Sequence, residues 1–375
     1  MQTGSKELIR DINTALVLRT IITDGPLSRA DISKKLGLTK ATISSIVQPL
    51  LDRSLVFEDA PASSAVGRKP IPLSFNEKCG SVISVNLESS TISILLSDLN
   101  GGSCIVREFP NEYDGKTILP FLEEAILNLV KIRPESCYGL IGIAIGIHGV
   151  VHKGEILFTP YRNYKQVDFA GHLGRAFGVP VLIENEANLS AIGEHTFCYP
   201  AKDIINISIH TGIGLGLILN DRLYVGHDGY AGEFGHTIVV PDGRPCPCGN
   251  RGCLEQYASE HAILKEVAAK KHLRKLSGDE FARLYEHGDP DAVAGMKDFI
   301  KYIGIGINNI LNSFNPEILV INSSFTMNFP STLPEIEKEL RNRMRNTCRI
   351  LPSTLQDMAI LLGGVVTVRN NFLGI

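Results

Sequence analysis

Gly232-Glu233-Phe234-Gly235-His236 and, shortly after it, Cys246-Pro247-Cys248-Gly249-Asn250-Arg251-Gly252-Cys253-Leu254-Glu255 carry the most specific chemistry in the chain. Three thiolates in one glycine-turned loop lie close enough to share a cation, and zinc prefers four such donors. His236 supplies the fourth, so His236, Cys246, Cys248 and Cys253 are expected to form a closed Cys₃His site of the structural kind, one zinc per chain. Three buried, reduced cysteines are the metal-free alternative. Glu233 and Glu255 flank the loop. Carboxylates fixed in this way accept paired hydrogen bonds from vicinal hydroxyls, as recognition of a sugar requires, whereas solvated acids beside a metal are the plainer reading.

Outward from the loop, Cys79, Cys104, Cys137, Cys198 and Cys348 are scattered, which fits metal binding better than a disulfide framework. With 375 residues, 44% hydrophobic and 21% charged, 35 glycines and no tryptophan, the chain reads as a Gly-rich α/β protein of two or three units. The start, Met1 to Glu7, lacks the basic-then-apolar order of a signal peptide. Glycines interrupt the apolar run Leu140 to Val151, so a cytoplasmic protein with no membrane partner is expected.

Beyond residue 80, Ser81–Leu87 and Thr91–Asp98 read as a strand pair, Leu119–Lys131 as a helix and Leu140–Ile147 as a buried strand. A similar order restarts at Ile204–His210 and Leu215–Leu219, with the turn Thr211-Gly212-Ile213-Gly214-Leu215-Gly216 between them. A duplicated α/β core with a cleft between two lobes follows.

The first 80 residues differ. They carry a net charge of +3 against −6 for the remainder, so only this part suits a polyanion. Apolar positions from Leu8 to Ile22 give a first helix over 6–23, stopped at Asp24-Gly25-Pro26. Ser28-Arg29-Ala30-Asp31 is a capping-box pattern for a second helix ending at Gly37, and Thr39 caps a third with an Ile43, Ile46, Val47, Leu50, Leu51 stripe. That stripe leaves Lys40, Ala41, Thr42, Ser44, Ser45 and Gln48 facing out, small polar residues suited to base edges, with Lys40, Arg29 and Arg53 near phosphates. Pro49 is expected to kink the third helix. Leu55–Glu58 and Ile71–Phe75 read as wing strands around Gly67-Arg68-Lys69-Pro70, a basic tetrapeptide suited to the minor groove, though an ordinary basic loop has the same composition. The unit is a winged helix-turn-helix candidate for DNA binding, with protein contacts as its alternative.

These motifs together resemble the ROK family (repressors, open reading frames and kinases), specifically its repressor branch. The likeness rests on Glu-x-Gly-His at Glu233–His236, the Cys-x-Cys-Gly-x-x-Gly-Cys loop, Leu254-Glu255, the Thr-Gly-x-Gly-x-Gly turn and Glu184-Asn185-Glu186-Ala187-Asn188. It implies a winged helix-turn-helix over 1–78 and a two-lobed actin/hexokinase-like domain over 79–375, lobe 1 at about 79–195 plus the C-terminal helix and lobe 2 at about 196–360. It further implies that Asn185, Glu233, His236 and Glu255 touch a sugar or shape its pocket, that His236 links metal and ligand, and that His148 and Glu186 stand in the sugar-contacting loop and at the catalytic acid's position.

The chain departs from the family's kinases where nucleotide is handled. Asn86-Leu87-Glu88-Ser89-Ser90 replaces their Asp-x-Gly-Gly-Thr, setting a glutamate where triphosphate would lie and removing glycines that permit close approach. Pro316 to Ser324 ends in Asn-Ser-Ser where kinases have Gly-Gly beside the adenosine, and Glu186 extends their aspartate by one methylene. His148 stands where proline is common and Tyr161 where asparagine is. No ATP is expected and the chain is read as a non-enzyme: a repressor of sugar-utilisation genes, a homodimer or tetramer, with operator DNA and a small sugar or sugar phosphate as partners. A sugar kinase with an added DNA-binding unit, or a repressor governed by a protein, are the alternatives.

Overall fold

A computed structural model describes residues 6–60, 70–160, 162–340, 343 and 346–375. The chain begins with α1 (Lys6–Asp24), β1 (Leu27–Ser28), α2 (Arg29–Leu36), α3 (Lys40–Asp52), β2 (Val56–Glu58) and β3 (Pro72–Phe75). Local chemistry accounts for these boundaries. The Ser28 hydroxyl accepts from the Asp31 amide while the Asp31 carboxylate accepts from the Ser28 amide, and Gly37 ends α2 in a left-handed conformation (φ 67°). Thr39 Oγ1 accepts from the Thr42 amide to start α3. Pro49 stands inside α3, which runs through it to Asp52. The helix loses one amide donor there, and Arg53 still closes the last turn onto the Pro49 carbonyl. β3 pairs antiparallel with both β1 and β2, giving a small sheet in the order β1-β3-β2.

The remainder is one plan executed twice. β4 (Ser81–Leu87), β5 (Thr91–Ser97) and β6 (Ile105–Pro110) form an antiparallel meander, and after α4 (Ile118–Lys131) β7 (Leu140–Ile147) lies parallel to β4. The short pair β8 (Val150–His152) and β9 (Glu155–Phe158) and α5 (Phe169–Phe177) lead to β10 (Val181–Asn185), parallel to β7, and then α6 (Glu186–Phe197). The second copy repeats the meander in β11 (Ile204–Ile209), β12 (Ile213–Leu219) and β13 (Arg222–Leu223). α7 (Glu255–Ala258), α8 (Glu260–Lys270), α9 (Gly278–Glu286) and α10 (Pro290–Phe314) then precede β14 (Ile318–Ser323). α11 (Ser324–Asn328) and α12 (Thr332–Glu339) precede β15 (Arg349–Pro352), and α13 (Met358–Leu373) closes the chain. The sheet orders β10-β7-β4-β5-β6 and β15-β14-β11-β12-β13 are therefore the same order written with two sets of strands.

α6 and α13, the matching last helices of the two copies, pack on each other between the sheets. They approach closely because Gly193 and Gly363 face backbone: a Cβ on Gly193 would stand 2.2 Å from the Ala359 carbonyl oxygen, and one on Gly363 1.9 Å from that of Leu189. The strands beneath are apolar on both faces, as parallel strands covered on both sides require. One core runs from the N-terminal helices (Val17, Leu18, Ile43, Val47) into β4, β7 and α13 (Val82, Ile141, Leu361, Val365), and the Tyr138 hydroxyl donates to the Arg53 carbonyl across the same junction. The head thus leans on α13 and the first sheet.

The sequence places Thr211–Gly216 in a turn, but the structure starts β12 at Ile213, with Gly214 opposite Ser208 and Gly216 opposite Asn206. Only His210 to Gly212 turn the chain. Gly214 and Gly216 serve close packing of β12 on α6, since a Cβ on Gly216 would meet the Ala187 carbonyl oxygen at 2.2 Å.

Candidate functional site

The cysteine loop is held by two isolated bridges, Ile238 with Cys253 and Pro245 with Arg251. At Gly252 φ is 82° and a Cβ would stand 1.7 Å from the Val240 carbonyl oxygen, so only glycine fits between the last two ligands' supports. His236 Nδ1 lies 3.5 Å from Cys246 Sγ, Cys248 Sγ 3.7 Å from Cys253 Sγ, and one donor atom from each of the four residues falls within 4.8 Å of all the others. A tetrahedral zinc with Zn–S of about 2.3 Å sets its ligands about 3.5–3.8 Å apart, so the set fits that ion; the sulfurs are too far apart for a disulfide. These four residues can hold a metal, whose contribution would be structural, because all four positions of a tetrahedron are taken by protein. Gln256 Nε2 donates to Cys246 Sγ at 3.6 Å and Cys253 Sγ contacts the His236 carbonyl oxygen at 3.4 Å. Arg244 ties the loop to α7 and α8: its amide donates to the Tyr257 hydroxyl, its guanidinium lies over the Tyr257 ring, and Nη2 pairs with Glu266 at 2.7 Å.

With Nδ1 turned toward the thiols, His236 Nε2 points away from them, 3.7 Å from Glu233 Oε2. Glu233 is pushed above the usual carboxylate range by burial first; the neighbouring His236 pulls it down, and the charges of Glu186 and Glu255 push it further up. Three carboxylates therefore face one place. Glu255 Oε2 accepts from the Ile213 amide and Oε1 from Gln256 Nε2.

On the opposite wall, Asn185 caps α6: its Oδ1 accepts from the Ala187 and Asn188 amides and its Nδ2 donates to the Gly149 carbonyl. Its side chain is chiefly a brace between the helix and the His148 loop. Glu186, the first residue of α6, is half-buried with Oε1 3.8 Å from His148 Nδ1 and with an enclosed Oε2 that has no partner among the described residues, and burial raises its pKa to about 7. Burial lowers His148 to about 4, so the ring is neutral near pH 7, with its Nε2 also unpartnered. Two enclosed polar atoms on this wall thus stand unsatisfied among the described residues, a costly arrangement in an apolar setting. A small cavity on this wall, lined by Glu88, His148, Thr159 and Arg162 among others, has a volume of about 10 Å³, room for one water. Arg162, which the sequence reading did not single out, fixes that wall by donating to the carbonyls of Ser89, Asn111 and Tyr113. Tyr161 lies outside the described residues.

The nucleotide side differs. Glu260 Oε1 accepts from the Ser323 hydroxyl (2.7 Å) and the Ser324 amide (2.6 Å), and Oε2 accepts from the Ser324 hydroxyl (2.8 Å). The turn ending β14 is thereby occupied by the chain's own carboxylate. At the other expected phosphate turn, Asn86 Nδ2 donates to Glu88 Oε1 and the Asn111 side chain donates to the Glu88 carbonyl, closing that turn upon itself. No sequence motif marks Glu260, which stands 63 positions from Ser323.

In the head, Lys40, Ala41, Ser44, Ser45 and Gln48 are exposed on α3 and Thr42 is half-buried. Thr42 shares a hydrogen bond with Thr39, Ser45 Oγ donates to the Thr42 carbonyl, Gln48 donates to Asp52, and Arg29 pairs with Glu58 at 2.8 Å. Except for the Arg29–Glu58 pair, which spans 29 positions, these partners lie within four residues of each other. Gly67, Arg68 and Lys69 lie outside the described residues.

The ROK family model matches residues 82–371. A xylose repressor of Bacillus spizizenii is 37% identical over the whole of this chain and 99% of its own length. A solved ROK family transcriptional regulator, described as a homologue of the E. coli MLC protein, superimposes with a TM-score of 0.84 at 28% identity, covering 97% of each chain. A ROK family glucokinase from Streptomyces griseus, solved with glucose and AMPPNP, gives a TM-score of 0.70 at 25% identity and covers 78% of this chain and 100% of its own. The family model begins where β4 begins, whereas the regulator's match extends over the head as well. With its duplicated sheets, zinc-type loop and appended head, this chain belongs to the ROK family.

Proposed function

We propose that the chain is a sugar-responsive transcriptional repressor. In this reading residues 1–78 bind operator DNA, and residues 79–375, with lobe 1 at about 79–195 plus the C-terminal helix and lobe 2 at about 196–360, bind an unphosphorylated sugar. The observation that carries it is the contrast within one cleft. His148 Nε2 and Glu186 Oε2 stand enclosed without partners among the described residues, on the wall facing a metal-type loop, while the turn that would meet a nucleotide is filled by Glu260. The first arrangement suits a polyhydroxyl ligand, and the second leaves no place for adenosine.

The charge of the cleft narrows the ligand. Glu88, Glu186, Glu233 and Glu255 surround it, and the guanidinium of Arg162 is engaged by backbone carbonyls, so a sugar phosphate meets repulsion with no free cation among the described residues of the cleft to offset it. A neutral sugar is the better fit, and the relatives' name puts xylose first among those to try. Asn185, Glu186, His148, Glu233, His236 and Glu255 are the proposed contacts or supports, with one structural zinc on His236, Cys246, Cys248 and Cys253. Lys40, Ala41, Thr42, Ser44, Ser45 and Gln48 would read bases and Arg29 phosphates, with Gly67, Arg68 and Lys69 in the minor groove. A homodimer would place two such helices on a pseudo-palindromic site. Sugar would act by favouring one arrangement of the two lobes, and α13, which packs on α6 and on the first lobe's sheet, carries the head.

Operator binding by the zinc-loaded protein, followed by fluorescence anisotropy across a panel of neutral sugars and their phosphates, tests this. Operator affinity should change with a neutral sugar, and Glu233→Ala and Glu255→Ala should each weaken that sugar by about a hundredfold, roughly 3 kcal/mol. An unmoved curve across the panel removes the effector. Retained affinity in both variants removes the site, and ATP consumption with any sugar restores the enzymatic reading.

A further inference from the structure

A second cavity, of about 640 Å³, lies away from the sugar cleft, where α1 of the head, the C-terminal half of α6, the β12–β13 turn and the last turns of α13 meet. Its size falls within the range of small-molecule sites, roughly 300–1,000 Å³. Arg369 on α13 is only 4% exposed. Its Nε donates to Asn370 Oδ1 at 3.2 Å and its Nη1 to Asn100 Oδ1 at 2.9 Å, both neutral amides, and Nη2 makes no hydrogen bond among the described residues. No carboxylate of the described residues pairs with it, an unusual condition for a buried guanidinium. Burial lowers its pKa to about 10, which leaves it charged near neutrality.

Two more cations line the same space. Arg19 reaches it from the head and Lys202 from the loop after α6, both exposed and neither in an ion pair among the described residues. The acid on this wall, Asp221, lies 3.8 Å from His195, whose pKa is lowered chiefly by burial. The remaining walls are aliphatic, from Ile192, Ile218 and Val366. We propose that this groove binds a small phosphorylated metabolite, a phosphate monoester whose anionic group sits among Arg369, Arg19 and Lys202 while its carbon body lies on the aliphatic wall. Guanidinium groups favour phosphate through paired, charge-assisted hydrogen bonds.

Because α1 forms one wall and α6 and α13 the others, a bound anion would fix the angle of the head on the body. The two sites would sort ligands by charge: the acidic cleft takes the neutral sugar and the cationic groove the phosphorylated one.

Full-length, zinc-loaded protein is titrated with inorganic phosphate and with glycerol 3-phosphate at fixed ionic strength, in calorimetry and in operator binding. Saturable binding is expected, tighter for the monoester, with a shift in operator affinity at saturation. Arg19→Ala and Lys202→Ala, both surface changes, should each weaken binding about tenfold, as loss of one charge-assisted contact does. Glu233→Ala, in the other site, should leave phosphate affinity unchanged even if it abolishes sugar binding, so failure of one site is distinguishable from failure of the other. Equal phosphate affinity in wild type and both cation variants overturns the assignment, as does an effect matched by chloride at the same ionic strength or one lost in Glu233→Ala.

Discussion

Glu186 and Glu260 are both glutamates at the first position of a helix that follows a strand or turn beside the cleft, and they are in opposite states. Glu186 is half-buried with one enclosed oxygen unpartnered among the described residues and its pKa pushed to about 7, whereas Glu260 accepts from two hydroxyls and an amide of Ser323 and Ser324. On the sugar side, hydrogen-bonding capacity is buried and left over, so a ligand gains by entering. On the nucleotide side the same capacity is satisfied internally, so a ligand must first displace a carboxylate. In the proposed reading, a chain that no longer takes nucleotide needs no collapse of the fold. Side chains from within the chain take over the contacts, and the duplicated sheets stay as they were.

The comparison breaks most completely if the metal loop is removed, because the sugar wall is held by it. Cys253, fully buried, closes both the ligand set and the bridge to Ile238. Cys253→Ser should abolish stoichiometric zinc by metal analysis, lower the melting temperature, and weaken sugar by more than a hundredfold, since Glu233, His236 and Glu255 all hang on that loop; metal binding of this kind contributes several kcal/mol or more. Operator binding without sugar should survive, because the head's core joins the body through β4, β7 and α13. A variant that loses zinc yet keeps its sugar affinity would show that the loop does not build the wall.

Much of this contrast is legible in the sequence, and the part that is not has a common cause. Ser28 with Asp31, and Thr39 with Thr42, act over three residues, so the head's helices can be read directly. The cysteine spacing names its own ligands for the same reason. The replacement of glycines at Glu88-Ser89-Ser90 and Ser323-Ser324 is equally visible, and it tells what was lost. It does not tell what replaced it: Glu260 meets Ser323 and Arg162 meets Ser89 across 63 and 73 positions, and only the folded chain brings them together. The Thr211–Gly216 run misleads because glycine serves turns and close packing alike, and β12 uses Gly214 and Gly216 for the second purpose. Arg369 gives no signal in the sequence, since among Thr367, Asn370 and Asn371 it reads as an ordinary polar residue at a helix end, whereas the fold buries it.

The pH dependence of stability sharpens the comparison with a smaller effect. Glu186 ionises near 4.5 when unfolded but at about 7 when folded, so the folded state holds its proton more tightly. Its destabilising contribution is absent below pH 4.5, grows as pH rises to 7, and is full above that, with an upper value of about 3 kcal/mol. His148, lowered from 6.5 to about 4, has the opposite sign: its contribution is lost as pH falls from 6.5 toward 4. Glu186→Gln should therefore match wild type in urea titrations at pH 4.5 and exceed it by up to about 3 kcal/mol at pH 8. A gap of the same size at both pH values would mean that the carboxyl is not held protonated by burial.

The smallest effect is expected where the contacts are already complete. Glu260→Gln keeps the length of the side chain but exchanges one charge-assisted acceptor for an amide nitrogen, which cannot accept from the Ser324 hydroxyl if its oxygen continues to serve Ser323 and the Ser324 amide. A loss of about 1–2 kcal/mol of stability follows, read as a lower urea midpoint with an unchanged slope. Sugar affinity should stay within a factor of two or three of wild type, because no sugar contact is altered. Nucleotide should still fail to bind, since Glu88 and its closed turn remain on the opposite lobe. If Glu260→Gln alone admits ATP, the nucleotide side is a plugged site, and the contrast with the sugar side reduces to one carboxylate; if it does not, the two lobes have each lost their half of the nucleotide site by separate means.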